Sequence, residues 1–262
     1  MKPKAALIVQ QLSVNYAKTP VLWDLSFEIP QGKLVAIAGP NGAGKSTFLK
    51  TAVGLIKPIS GKVCFFETSL KKVRRQVAYM PQRESVDWDF PITVFDLVLM
   101  GRFGRRGLFK WPNREDREAV EKYLEMVGLS SYAQRQISQL SGGQKQRAFL
   151  ARALIQEADL YLMDEPLNGI DIASSKVILS ILKNLRDQGK TLLVVHHDLE
   201  AVAQQFDWAI LLNMRLVESG PVSEVFTTEA IQKTYGKETV LLDEAAKLSQ
   251  EKKGGLPSRR EV

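Results

Sequence analysis

Apolar and polar residues alternate over Leu7–Tyr16 and again over Val21–Ile29, with Ala17-Lys18-Thr19-Pro20 between them. That pattern predicts an antiparallel hairpin or meander. Leu34–Ala38 is apolar throughout and predicts a buried strand, with a helix following from Ser46. Lys57-Pro58-Ile59-Ser60-Gly61 reads as a turn, and strands are expected at Lys62–Phe66 and Val73–Met80. From Gln82 to about Leu140 the character changes to helices. Thr93 is the expected N-cap of a helix over Thr93–Met100. A basic, glycine-bearing link follows at Gly101–Gly107. Asn113 starts a helix over Arg114–Val127 that Gly128 ends. A further helix opens at Leu140–Gln144 and runs to about Glu157. Buried strands are expected at Asp159–Met163, Thr191–His196 and Ala209–Leu212. Helices are expected over Ala173–Asp187, after the cap Asp198, over Val222–Lys233 and over the amphipathic stretch Leu241–Gln250. Residues 251–262 are charged, with Gly254, Gly255 and Pro257, and are expected to be disordered. The fold class is therefore α/β, with an antiparallel β-subdomain at the N-terminus and a helical subdomain inserted between strands.

The composition, 45% hydrophobic and 25% charged over 262 residues, is that of a globular protein with a sizeable core. No apolar run approaches the ~18–20 residues of a spanning helix. Met1-Lys2-Pro3-Lys4 leads directly into a strand-like stretch, so no secretory leader is expected. The single cysteine, Cys64, excludes an intrachain disulfide and is expected to be a buried small hydrophobe. These features point to the cytoplasm. The net charge of +7 gathers in short clusters, among them Lys71-Lys72, Arg74-Arg75 and Arg105-Arg106. None is interleaved with aromatics as single-stranded nucleic acid would require. A solvated or membrane-facing surface is expected instead, and no nucleic-acid partner.

Gly39-Pro40-Asn41-Gly42-Ala43-Gly44-Lys45-Ser46-Thr47 fits G-x-x-x-x-G-K-[ST] between a strand and a helix. Strand, glycine loop and helix present backbone N–H groups to a phosphate chain. Lys45 neutralises the β and γ phosphates there, and the Ser46 hydroxyl ligates Mg2+. Tyr16, ahead of that loop, either stacks on an adenine ring or is a half-buried strand tyrosine.

Six features stand in one order: Tyr16, the phosphate loop, Gln82 after a strand, Leu140-Ser141-Gly142-Gly143-Gln144, Leu160-Tyr161-Leu162-Met163-Asp164-Glu165, and His197. Over residues 5 to about 235 this resembles the nucleotide-binding subunit of an ATP-binding cassette (ABC) transporter. The resemblance implies an ATP-binding domain over residues 1–236, with its helical subdomain at about 83–158, and a C-terminal extension at 237–262. It implies an ATPase using ATP and Mg2+. Asp164 reaches the metal, Glu165 is the general base, and Gln82 touches the metal or the water and reports on the γ-phosphate. His197 contacts the γ-phosphate. His196 points to the opposite face and takes no part. Ser141, Gly142, Gly143 and Gln144 open a helix that forms a second anion site. The family implies that this site completes the phosphate loop of a second copy, head to tail, with Asp171 contacting that copy. Leu167, Asn168, Ser174 and Ser175 depart from the common pattern around that contact.

Val86–Val94 followed by Met100-Gly101-Arg102, together with Val195–Leu199 and Phe206–Trp208, resembles the subgroup that imports manganese, zinc or iron. Membrane permease subunits, an extracytoplasmic metal-binding protein and a place on the cytoplasmic face of the membrane follow from that resemblance. The stretch Arg83–Arg106, with Trp88 and Phe90, is the implied dock for the permease, or else those aromatics close the subdomain's own core. The alternative is a soluble ABC ATPase that acts as an assembly scaffold or in nucleic-acid metabolism.

Overall fold

The structure, a computed structural model, describes residues 4–16, 19–83, 87–106 and 111–236. β1 (Ala5–Tyr16), β2 (Thr19–Pro30) and β3 (Leu34–Ala38) come first, then α1 (Lys45–Ala52), β4 (Ser60–Phe65), α2 (Leu70–Val73) and β5 (Val77–Met80). The inserted helices are α3 (Val94–Leu99), α4 (Phe103–Arg106), α5 (Arg114–Met126) and α6 (Gly142–Leu154). The chain then alternates through β6 (Leu160–Met163), α7 (Ile172–Asp187), β7 (Thr191–Val195), α8 (Leu199–Gln205) and β8 (Trp208–Asn213). It closes with β9 (Arg215–Pro221), α9 (Val222–Val225) and α10 (Thr228–Tyr235).

A small antiparallel sheet has the order β2-β1-β4, and a six-stranded sheet the order β5-β6-β7-β3-β8-β9. The first five strands of the larger sheet run parallel, and β9 turns back antiparallel on β8. β3, β6 and β7 are buried on both faces, which explains their unbroken apolar runs. Their side chains still alternate. Val35, Ile37, Leu160, Leu162, Leu193 and Val195 pack toward the small sheet and α1. Leu34, Ala36, Tyr161, Met163, Leu192 and Val194 pack toward the helices.

The parallel register fixes what arrives at one sheet edge. Met80 lies beside Met163, and Met163 beside Val194. Ile37 lies beside Val195. Two residues beyond Met80 and Met163 are Gln82 and Glu165, and just past β3 is Gly39. His197 follows β7 at the same edge. Ligand sites form where parallel strands end in this way.

Several expectations are corrected. Val73–Gln76 is helical, not strand, because Val73 is the one buried side chain among Lys71, Lys72, Arg74 and Arg75, which all stay in solvent. Ser60 and Gly61 belong to β4 rather than to a turn. Gly101–Arg106 is helical rather than a link. Gly101 is a packing residue: a Cβ there falls 2.4 Å from Ile155 Cγ2 and 2.5 Å from the Arg152 carbonyl oxygen. His196 lies beyond the end of β7, and β9 was not foreseen. Cys64 is half-buried, since Val63 and Phe65 face the core and the residue between them faces out. Leu241–Gln250 and residues 251–262 lie outside the described residues.

The helical insert is stapled by Asp116, which is fully buried. It closes a capping box with Asn113 and takes Arg102 Nε at 3.0 Å. Asp116→Ala removes both and leaves the Arg102 guanidinium only its longer contacts, to Glu157 at 3.4 Å and the Ile155 carbonyl oxygen at 3.5 Å. It should cost about 3 kcal/mol of stability, read from urea unfolding of variant and wild type.

Candidate functional site

The loop between β3 and α1 is held by backbone and by absent side chains. A Cβ at Gly39 would fall 1.9 Å from the Leu212 carbonyl oxygen, and one at Gly44 2.3 Å from Leu22 Cδ2. Gly44 is the N-cap of α1 at φ 92, and α1 has neither a side-chain cap nor an acidic residue in its first turn. Among the described α-helices longer than four residues, α1 alone lacks a side-chain cap; α3, α5, α6, α7, α8 and α10 each have one. Its first N–H groups are therefore left for an external acceptor. Asn41 and Gly42 form the exposed crest and Pro40 is half-buried, while Ala43, Lys45 and Thr47 are buried.

Lys45 Nζ donates to the carbonyl oxygens of Gly39 and Pro40 at 2.7 and 2.8 Å. Burial pushes its pKa down, against the pull of Glu165 and Asp164. Ser46 Oγ donates to Asp164 Oδ1 at 2.9 Å. Asp164 is fully buried, and burial raises its pKa, with the Ser46 bond opposing. Its second oxygen, Oδ2, is buried with no hydrogen-bond partner.

Glu165 is placed differently. It sits at φ 54, in the left-handed region, so its side chain turns back across the strand ends. Oε2 accepts from Gln82 Nε2 at 3.1 Å and from Asn168 Nδ2 at 2.9 Å, and Oε1 pairs with His197 Nε2 at 2.5 Å. These bonds, His197's first, hold its carboxyl below the usual carboxylate range despite partial burial. Gln146, buried on α6, donates Nε2 to the Glu165 carbonyl oxygen at 2.9 Å.

His196 faces the other way, onto Phe206 at 5.7 Å, and burial lowers its pKa. Ser141 caps α6 in a capping box with Gln144, and Gly142 and Gly143 form its first turn. Gly143 faces Ile170: a Cβ there would lie 3.5 Å from Ile170 Cγ2 and 3.9 Å from Asp171 Oδ2. Asp171 itself is exposed and caps α7 through Ser174 N, the bond that lowers its pKa. Tyr16 closes β1 opposite Thr19 and is 51% exposed. The phosphate-loop residues, Gln82, Asp164, Glu165 and His197 thus meet at one edge. Ser141–Gln144 and Asp171 form a second surface of the same chain.

Asn168 and Gln146 escaped the sequence reading as site residues. Asn168 stands three residues after Glu165, the spacing of a turn partner, and its backbone N–H returns to the Glu165 carbonyl oxygen at 3.2 Å. Gln146 is a polar residue on the buried face of α6, and a buried amide must have a partner.

Comparison with known proteins matches residues 22–168 to the ABC transporter family model. The manganese transport system ATP-binding protein MntB of Bacillus subtilis is 52% identical over 228 residues, 87% of this chain and 91% of that protein. The zinc transport system ATP-binding protein TroB of Treponema pallidum is 52% identical over 231 residues, 88% of this chain and 87% of that protein. Among solved structures, cbiO1 of Clostridium perfringens, part of the ABC transporter complex cbiONQ, superposes with a TM-score of 0.72 at 27% identity, covering 88% of this chain and 94% of that one. With its phosphate loop, paired strand-end carboxylates and helix-capping Ser-Gly-Gly turn, the chain belongs to the ABC transporter family as an ATP-binding, ATP-hydrolysing subunit.

Proposed function

We propose that this chain energises the import of a divalent metal ion through a separate membrane permease, working as a head-to-tail pair on the cytoplasmic face of the membrane. The observation that carries the ATPase part is the uncapped start of α1 beside a carboxylate held by three donors. Manganese and zinc as cargo rest on the two 52% identical relatives and their names. Iron, also implied by the subgroup resemblance, has no counterpart in those names. Among the described residues no helix is long and apolar enough to cross a membrane, so the permease is the proposed anchor. An extracytoplasmic metal-binding protein would deliver the cargo.

The site's residues fit Mg2+. Ser46 and Asp164 offer hard oxygens, and Asp164 Oδ2 is a buried acceptor with nothing to accept. With Gln82 beside them, these residues would hold the ion. When bound it neutralises charge on the β and γ phosphates. The chain's own groups do the rest. The free N–H groups of the loop and α1 bind phosphate oxygens, and Lys45 leaves the Gly39 and Pro40 carbonyls to join them. Tyr16 offers an exposed ring to the adenine. Glu165 stays ionised at neutral pH and orients the attacking water, taking its proton as the phosphoryl group transfers. Gln82 and His197 hold that carboxylate and stand where the γ-phosphate is sensed. Ser141, Gly142, Gly143 and Gln144, with Asp171, face the second copy's nucleotide.

The two aromatics of the proposed permease dock divide between the two readings the sequence left open. Trp88 is spent inside the subdomain, against Phe149 at 4.9 Å, whereas Phe90 is 52% exposed. A groove of about 740 Å³ lined by Leu55, Lys72, Arg75, Gly101, Gly104 and Arg152 is the proposed receiving surface.

Glu165→Gln should keep ATP affinity while turnover falls about 100-fold or more; equal turnover would remove Glu165 as base. Purified with ATP from detergent-solubilised membranes, this variant should carry a multi-spanning permease with it. Soluble proteins in place of a permease would favour the scaffold alternative. Asp164 has a raised pKa in the folded chain, so the stability linked to its protonation is present at acid pH and lost as pH rises through that pKa. Asp164→Asn should therefore raise the nucleotide-free melting temperature at pH 8, with the difference shrinking as the pH is lowered through the raised pKa of Asp164. The same variant should lose the added stability that MgATP gives the wild type. A lower melting temperature at pH 8 would contradict the uncompensated carboxylate.

A further inference from the structure

Arg83 follows Gln82 directly, yet beyond its place at the start of the implied permease dock no role has fallen to it. Its side chain is half-buried, and among the described residues its guanidinium makes neither a hydrogen bond nor an ion pair. It lies against the bare backbone of two glycines. A Cβ on Gly142 would sit 2.6 Å from Nη1, 3.2 Å from Cζ and 3.4 Å from Nη2, so the guanidinium occupies the room that a side chain there would take. A Cβ on Gly169 would sit 3.6 Å from the same Nη1. One guanidinium thus bridges the first turn of α6 and the turn before α7. Close by, the same two segments already meet through Gly143 and Ile170.

The backbone of Arg83 is fixed as firmly as its side chain. Trp88 Nε1 donates to the Arg83 carbonyl oxygen at 2.9 Å. The Trp88 ring packs on Phe149, and Lys145 Nζ lies 5.1 Å from its centroid. Both of those residues belong to α6. On the other side, Gln82 Nε2 is bonded to Glu165 Oε2 at 3.1 Å. Residues 82 and 83 therefore connect the hydrolytic carboxylate to the Ser-Gly-Gly turn over one peptide bond.

We infer that Arg83 is a positioning residue, a planar wedge that locks the Ser141–Gly143 turn to the Gly169–Asp171 turn and ties both to Gln82. A flat, rigid group fits between two glycine backbones, and a lysine does not supply that plane. The wedge keeps two loops of one chain in a single surface, the surface that the proposed pairing presents to the second copy's nucleotide. The inference rests on that pairing. When Gln82 moves relative to Glu165, Arg83 must shift against Gly142, so the state of one site reaches the surface that completes the other.

The test uses the full chain. Arg83→Ala and Arg83→Lys are compared with wild type for ATP affinity of the single subunit and for steady-state ATPase kinetics. In a Glu165→Gln background they are compared for ATP-dependent dimerisation by light scattering. Arg83→Ala should leave single-subunit ATP affinity within about twofold, lower kcat about 10- to 100-fold and weaken the dimer about tenfold. Arg83→Lys should behave like Arg83→Ala. Full rescue by lysine would show that a point charge suffices and would overturn the wedge. So would an unchanged kcat in Arg83→Ala, or a loss of single-subunit affinity equal to the loss in dimerisation. Failure of Glu165→Gln alone to dimerise with ATP would overturn the pairing itself, and the wedge with it.

Discussion

Two carboxylates in succession at the end of a buried strand are the constraint on which the site is built. Asp164 and Glu165 leave β6 together, and each raises the energy of the other's charge. The fold separates them by backbone geometry. Asp164 continues the strand inward, with its N–H on the Met80 carbonyl oxygen, and ends fully buried. Glu165 takes a left-handed conformation and swings out to three donors. The result is one carboxyl with a raised pKa and an empty acceptor, and one kept ionised by its neighbours. Such a divergence in adjacent groups is how one site obtains two chemical roles from one residue class.

Neither arrangement survives without the parallel sheet. Two of the three donors on Glu165, Gln82 and His197, come from just past the ends of β5 and β7, which flank β6. Because parallel strands finish at the same edge, a register of Met80 with Met163 and Val194 is enough to bring Gln82 and His197 within bonding distance. A slip of one residue would turn each strand's side chains to the other face and replace Glu165's partners. That register is secured by burial on both faces, with leucine, valine and isoleucine filling two cores. The apolar interior is thereby what sets the polar geometry.

The phosphate loop, the paired carboxylates and the divergence of His196 from His197 were legible in the sequence. Each is a local pattern: glycines at fixed spacing, a strand that ends in charge, the period of two along a strand. What was not legible is what depends on the packing of segments far apart in the chain. Val73–Gln76 carries a strand-like composition, but with four cations about one apolar residue only a short helix buries Val73 alone. Gly101 looks like a linker glycine until Ile155 and Arg152 are seen against it. Asn168, read as a departure from a family pattern, proves to be a donor to Glu165 because the turn after β6 folds back on itself. Trp88, left open between the permease dock and the subdomain's own core, is claimed by α6.

The two helix starts to which the proposed function brings phosphate are built in opposite ways. α1 begins at a glycine with no side chain to cap it, so its N–H groups have an unmet need that phosphate oxygens can satisfy. α6 begins with Ser141 and Gln144 already closed into a capping box, and its first turn is braced by neighbouring loops. In the proposed pair the open start of α1 would carry most of the phosphate contacts, while α6, whose Gln144 N–H is already taken by Ser141 Oγ, would add the N–H groups of Gly142 and Gly143. That asymmetry suits the proposed pair, which would come apart after each turnover. If both helix starts were uncapped, each would grip its phosphate equally, and closure would be harder to reverse. The capping box on α6 favours a surface that can be released, and release is what a cycling ATPase needs once phosphate has left.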